Sequence, residues 1–444
     1  MEIPTLRASV ARRNITPEIG TPLFGYGNQR LAQTVDDGLN VTVLYLESDD
    51  CSSCILSLDW CYIDEIEVAN LRALISQAIK IAPENVIIHA THTHSGPITM
   101  DCWGLGWRDE KYLEFARPRI VEAVVEAGST PVAVRVGIGT IHTDIGVNRC
   151  EVDVEGNIQL GFNEWGPRDR DMTIVRFERA ADDQAGSTPG TLATVVHAGA
   201  HPTARGDDPA ISRDWPGVMM DRVEQLTGAP VVFLNGAFGN VAPRTTIGGP
   251  SGDADKASRE VGLRAALHAM QAWREIKEFR DLDLQTSHAT FVLPFADLPS
   301  REVAEAQFAQ YAGQENATGE GEAEWRYWNA VLQAHDGPPQ TAREWSQSIT
   351  RLGPIVFVPF AGEIFSEICL RLKQASPFAH TLCLGTTNGT HGYYVTREAL
   401  TRNCHEVWFN KTICAHLLAA NNDDVLVQEN LKLLQALQTA ELRA

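Results

Sequence analysis

Val86-Ile87-Ile88-His89-Ala90-Thr91-His92-Thr93-His94-Ser95-Gly96-Pro97 is the stretch on which the fold of this 444-residue chain turns. An apolar, β-branched run closed by Gly-Pro predicts a buried strand ending in a sharp turn. Three of the thirteen histidines fall here, at 89, 92 and 94. Side chains alternate along a strand, which would put His92 and His94 on one face and Thr91 and Thr93 on the other. Two imidazoles at the mouth of a buried strand suit a shared metal, or one ligand beside one acid/base group. The plainer alternative is a pair of satisfied surface histidines.

The flanks repeat the same grammar. Val41–Leu46 and Ile55–Trp60 read as a strand pair around the polar turn at 48–50, with Asp59 at a strand end. A 3.6-residue apolar pattern over 64–82 predicts the helix that feeds the histidine strand. After Pro97, Trp103 and Trp107 sit among glycines and suit an apolar substrate wall. A helix at 109–127 and a strand at 132–139 follow, then Gly146-Val147-Asn148-Arg149. Strands at 171–177 and 190–196 flank a small-residue turn at 180–189. The second runs into His197-Ala198-Gly199-Ala200-His201-Pro202-Thr203. A helix to about 226 and a strand at 231–234 lead to Gly239-Asn240-Val241-Ala242-Pro243. Beyond the helix at 253–276, residues 296–350 read as a polar, helical insertion. A strand at 352–359 ends at Gly362-Glu363, with Glu363 opening a helix to 375. The run 382–385 precedes a glycine-rich loop holding Tyr393 and Tyr394, a short helix with His405-Glu406, and a last helix at 423–440. Strands alternating with helices predict an α/β fold with a mixed β-sheet core, flanking helices and a helical insertion, in one catalytic domain over 1–444.

A net charge of −20 excludes nucleic acid and anionic membrane as partners, because both demand a basic face. No run of eighteen apolar residues spans a membrane. The first residues carry no secretory-signal pattern, and nine cysteines fit reduced thiols, so cytoplasm is the expected location. Cys51-Ser52-Ser53-Cys54 lacks the second Cys-x-x-Cys of a zinc ribbon.

The metal-capable residues at apparent strand ends are His92, His94, His201, Glu363 and the Tyr393 loop. Two imidazoles and a carboxylate, with a position left for water, form the ligand set of a catalytic zinc. An α/β sheet collects such ends at one edge.

Thr91-His92-Thr93-His94-Ser95-Gly96-Pro97 resembles the zinc signature of the neutral (alkaline, non-lysosomal) ceramidases. Further segments resemble that family in the same order. They are Asn14-Ile15-Thr16-Pro17 with Gly25-Tyr26-Gly27, Ser57-Leu58-Asp59, Asn148-Arg149, His201-Pro202-Thr203, Ser212-x-Asp214-x-x-Gly217 and Gly362-Glu363. The resemblance implies zinc ligands at His92, His201, Glu363 and a tyrosine. Matching Asn388 and His405-Glu406 without gaps puts the tyrosine at Tyr393; matching Tyr-Val-Thr alone puts it at Tyr394. It also implies His94 beside the metal and Asn148-Arg149 toward the substrate; Trp103 and Trp107, from their own context, and His405 are expected around it. Two features depart from the family. Its active-site serine is Ala242, and its later tyrosine is His405. The chain also leaves no room after 444 for the family's C-terminal immunoglobulin-like domain, so a short relative is expected. The expected activity is a zinc-dependent hydrolase cleaving the amide bond of an N-acyl, lipid-like small molecule, with ceramide itself in question. A metallo-esterase or lactonase, and a metal-binding relative without catalysis, are the alternatives.

Overall fold

The computed structural model describes residues 5–26, 30–180, 190–245, 252–402 and 404–441. Gly27 and most of the turn expected at 180–189 lie outside them. Twelve strands build two principal sheets. The first holds β1 (Arg7–Asn14), β2 (Asn40–Glu47), β3 (Ser52–Leu58), β4 (Val86–Ala90), β5 (Val132–His142), β6 (Asp171–Arg179), β7 (Thr191–Ala198) and β8 (Val231–Asn235). Their spatial order is β8-β7-β6-β5-β1-β2-β3-β4. The second holds β9 (Leu284–Pro294), β10 (Ala342–Leu352), β11 (Ile355–Pro359) and β12 (His380–Leu384), in chain order.

Apolar residues alternate between two faces on these strands, and each face has its own partner. Val43 and Leu56 pack outward against α1 (Glu65–Ile79) and α2 (Glu110–Ser129), while Val196 and Phe233 pack against α3 (Asp214–Thr227) and α4 (Ala254–Glu275). The intervening residues, among them Leu44, Ile55, Val195 and Leu234, meet Ile355, Phe357, Leu382 and Leu384 of the second sheet. That sheet's outer face is covered by α7 (Ser366–Ala375) and α10 (Asn422–Glu441). The result is four layers, helix–sheet–sheet–helix. Among the described residues, no helix is long and apolar enough to cross a membrane.

Within the two principal sheets three strand pairs are parallel, each crossing over through a helix: β3–β4 through α1, β7–β8 through α3, and β11–β12 through α7. Within each pair both strands end on one side, and backbone bonds join the pairs. Gly236 N–H to Ala198 O, Gly385 N–H to Asn235 O, Ala90 N–H to Thr386 O, Thr91 N–H to Leu58 O and Phe360 N–H to Leu384 O bring the segments after these strands together. His89 ties these ends to one another. Its Nε2 accepts the Asn235 N–H at 2.9 Å, and its Nδ1 lies 2.8 Å from Thr387 Oγ1. Burial pushes this imidazole down to about 3, so it is neutral and structural.

The stretch 296–350 differs from its expectation. It supplies α5 (Arg301–Gln310) and α6 (Glu320–Asp336), but 342–350 belongs to strand β10, paired along its length with β9. Buried polar residues hide the strand pattern there: Gln347 donates to Pro359 O and to Asn430 Oδ1 instead of facing water. Nor does Glu363 open a helix. It lies in a two-residue strand, Glu363–Ile364, and α7 starts at Ser366.

Candidate metal centre

β4 stops at Ala90, and the backbone then turns. His92 takes φ +72°, a left-handed conformation that costs a side-chain-bearing residue about 1–2 kcal/mol. Strand alternation therefore does not set the His92–His94 relation. The turn does, bringing the two Nε2 atoms to 3.1 Å. A His92 N–H bond to Trp60 O holds the turn to the loop after β3, and the ring stacks on Phe238 from the loop after β8. His201, three residues past β7, is pinned by its N–H to Val241 O. Glu363 is register partner of Tyr393 in a parallel pair, which places both side chains on one face.

Both candidate histidine ligands have the same tautomer imposed on them. Nδ1–H of His92 donates to Cys61 O at 2.9 Å, and Nδ1–H of His201 donates to Phe238 O at 2.8 Å. Each Nε2 lone pair is thereby turned inward, the arrangement that carbonyl partners give metal-binding histidines. Glu363 Oε2 stands 3.3 Å from His92 Nε2 and 2.9 Å from His201 Nε2, with all three side chains fully buried. Glu363 Oε1 takes the Tyr62 O–H, and among the described residues Oε2 has no hydrogen-bond partner. Three lone-pair acceptors facing one point in a dry pocket repel one another unless a cation sits among them. Two nitrogens and one carboxylate oxygen suit zinc or a similar divalent metal.

The charges follow from this placement. Burial, with Arg149 nearby, pushes the His201 imidazole down to about 4 against the pull of Glu363. Burial, with His92 and His201 beside it, likewise holds His94 well below its ordinary value. Among the described residues the His94 Nδ1 has no partner, while the His94 carbonyl accepts from Arg30. Gly25 makes this packing feasible: a Cβ at its φ of +116° would lie 2.5 Å from His94 Nδ1.

The two tyrosines part company here. Tyr393 OH lies 3.4 Å from His201 Nε2 and accepts from Arg149 Nη2 at 3.0 Å. Tyr394 OH turns to His391 Nδ1 and Ala361 O, away from the cluster. Arg149 is buried, with its Nε on Glu406 Oε1 at 2.9 Å. Asn148 engages backbone at both ends of its amide, Pro167 O and the Cys150 N–H. Trp103 packs against the cluster of Tyr327 and Trp328 at the helical insertion. Trp107 is half-exposed, with the Arg326 guanidinium 4.4 Å above its ring. His405 is exposed and stacks on Trp408; it is its neighbour Glu406 that turns inward. Ala242 is buried in the short strand Val241–Pro243, and Asn240 before it accepts the Ser366 N–H at the start of α7. Tyr62 and Phe238 are site residues that no local motif announces, and Glu406 enters the sequence reading only as an alignment mark for Tyr393. Only the apolar context of Tyr62 and the placement of Glu406 beside His405 could have drawn attention to them.

No protein-family model and no curated protein matches the chain. Chains of solved structures do, two ceramidases among them. One is described as neutral ceramidase from Pseudomonas aeruginosa, with a TM-score of 0.74, 16% identity, and coverage of 99% of this chain and 75% of that one. The other is described as ceramidase complexed with C2, with a TM-score of 0.73, 16% identity and coverage of 99% and 76%. The chain has the neutral-ceramidase fold. At that identity the likeness speaks for the fold, and the chemistry has to be argued from the residues of this chain.

Proposed function

We propose that this chain is a zinc-dependent hydrolase that cleaves the amide bond of an N-acyl, lipid-like substrate. The observation that carries the reading is the buried convergence of His92 Nε2, His201 Nε2 and Glu363 Oε2, with each imidazole's Nδ1–H committed to a backbone carbonyl. Tyr393 stands beside it as the fourth group. The substrate class follows the ceramidase fold, since ceramide is an N-acyl lipid. A zinc ion held by His92, His201, Glu363 and Tyr393 would polarise a substrate carbonyl and supply water deprotonated near neutral pH.

The other roles fall to the chain itself. Tyr62 holds Glu363 in orientation through Oε1. Arg149 places positive charge against the Tyr393 oxygen, a charge that would favour an oxyanion formed next to that phenol. His94, neutral and with Nδ1 free, can carry a proton between the attacking water and the departing amine. Ala242 removes any hydroxyl nucleophile from the 239–243 turn.

The test is metal content followed by hydrolysis. Purified protein should hold about one zinc per chain and lose it in His92→Ala. A panel of N-acyl amides and matched esters, run with and without chelator, should show chelator-sensitive amide cleavage. An ester-only profile would make the enzyme a metallo-esterase. Undiminished amide cleavage by metal-free protein would sink the reading altogether.

A further inference from the structure

Glu406 has no contact with the three buried ligand atoms, yet it is buried, and both of its oxygens are engaged. Oε1 accepts from Arg149 Nε at 2.9 Å, and Oε2 accepts the Cys404 thiol. The same guanidinium donates through Nη2 to Tyr393 OH at 3.0 Å. Arg149 thus bridges a carboxylate and a phenol, and its planar fork fixes the angle between them. The parts come from distant segments. Arg149 lies on the strand Gly146–Val152, Tyr393 on the strand Tyr393–Tyr394, and Glu406 on the first turn of α9 (His405–Phe409).

We infer that Glu406 is a positioning residue for Tyr393, acting only through Arg149, with Cys404 as its outer clamp. This rests on the reading of Tyr393 as a metal ligand. A buried guanidinium without its carboxylate would be an uncompensated charge, free to swing toward another acceptor. Glu406 neutralises it and leaves Nη2 aimed at the phenol oxygen. Burial would lower the Arg149 guanidinium, but Tyr393 and Glu406 outweigh it, so Arg149 stays charged. Cys150 and Cys404 with Glu406 are spaced closely enough to hold a metal of their own. The guanidinium on Oε1 argues against that use, since it already occupies the cation's place. A relay also explains why the neighbouring thiol is turned onto the other oxygen.

The experiment uses full-length protein loaded with Cu2+, whose phenolate-to-metal charge-transfer band reports how Tyr393 meets the metal. The comparison covers wild type, Glu406→Gln, Arg149→Met and the double variant, together with Cys404→Ser and Cys404→Val. Thermal melts establish that each is folded. Glu406→Gln should shift or weaken the band, with metal affinity or kcat/KM falling about 10–100-fold, the usual effect of removing a group that orients a ligand. In the Arg149→Met background the same substitution should add almost nothing, because its effect passes through Arg149. Cys404→Ser, which keeps a donor, should resemble wild type, and Cys404→Val should fall between. A band in Glu406→Gln identical to wild type, or full additivity in the double variant, overturns the relay alone. A colourless wild type overturns the assignment of Tyr393 and the relay with it. If Glu406→Gln does not fold, the Cys404→Val and Cys404→Ser pair decides: identical bands overturn the relay, and a difference supports it.

Discussion

Tyr62→Phe removes one oxygen atom and tests the buried cluster at its least obvious point. The phenol donates to Glu363 Oε1, leaving Oε2 to face His92 and His201. Burial and the Glu363 charge hold the Tyr62 phenol well above its ordinary value, so it stays a donor. Its ring packs against Phe24 at 5.0 Å and His92 at 5.1 Å, contacts that phenylalanine keeps. The substitution therefore isolates a single hydrogen bond to a buried carboxylate, worth about 1.5–3 kcal/mol. Part of this is lost as stability and part as ligand orientation. Divided about evenly, the second share of roughly 0.8–1.5 kcal/mol corresponds, at about 1.4 kcal/mol per tenfold, to a zinc affinity roughly 4–12-fold weaker. Chelator competition on the apo-protein measures that affinity, and urea unfolding of the apo-protein measures the stability. A zinc affinity within twofold of wild type, with unchanged apo stability, would refute the claim that Tyr62 holds Glu363.

Two further outcomes are expected. Tyr393→Phe should weaken zinc binding, whereas Tyr394→Phe should keep it and lose only about 1 kcal/mol of stability with its bonds to His391 and Ala361; equal zinc affinities in the two variants would count against the placement of Tyr393. Burial pushes the Asp59 carboxyl up to about 6, above its ordinary value of 3.8, and a raised acid contributes stability that is complete below about pH 4 and lost as the pH climbs through 6. Asp59→Asn should accordingly gain on wild type by about 1–3 kcal/mol between pH 4 and pH 7.5, read from urea unfolding at the two pH values. A difference independent of pH would exclude that origin.

Much of the scaffold is legible locally. Apolar runs closed by small residues mark β4, β7, β8 and β11, and helical periodicity marks α1, α4 and α10, because side-chain patterning follows from one-sided burial of the element itself. β9 and β10 are less legible. Their partners and the polar network around Gln347 lie elsewhere in the chain, so the segment before α7 reads as helix when its end is strand.

The site divides in the same way. By itself the sequence determined which residue types arrive at strand ends: His92, His94, His201, Glu363 and a tyrosine at 393 or 394, in an order resembling the ceramidases. Tertiary structure alone decided how they meet. The left-handed turn at His92, not strand alternation, sets the histidine pair, and register with Glu363 together with the pull of Arg149 separates Tyr393 from Tyr394. Tyr62 reaches Glu363 across 301 residues, and Arg149 reaches Glu406 across 257. Periodicity reports only which face of an element is buried. What waits on that face is fixed by the packing of other elements, and no local pattern encodes it.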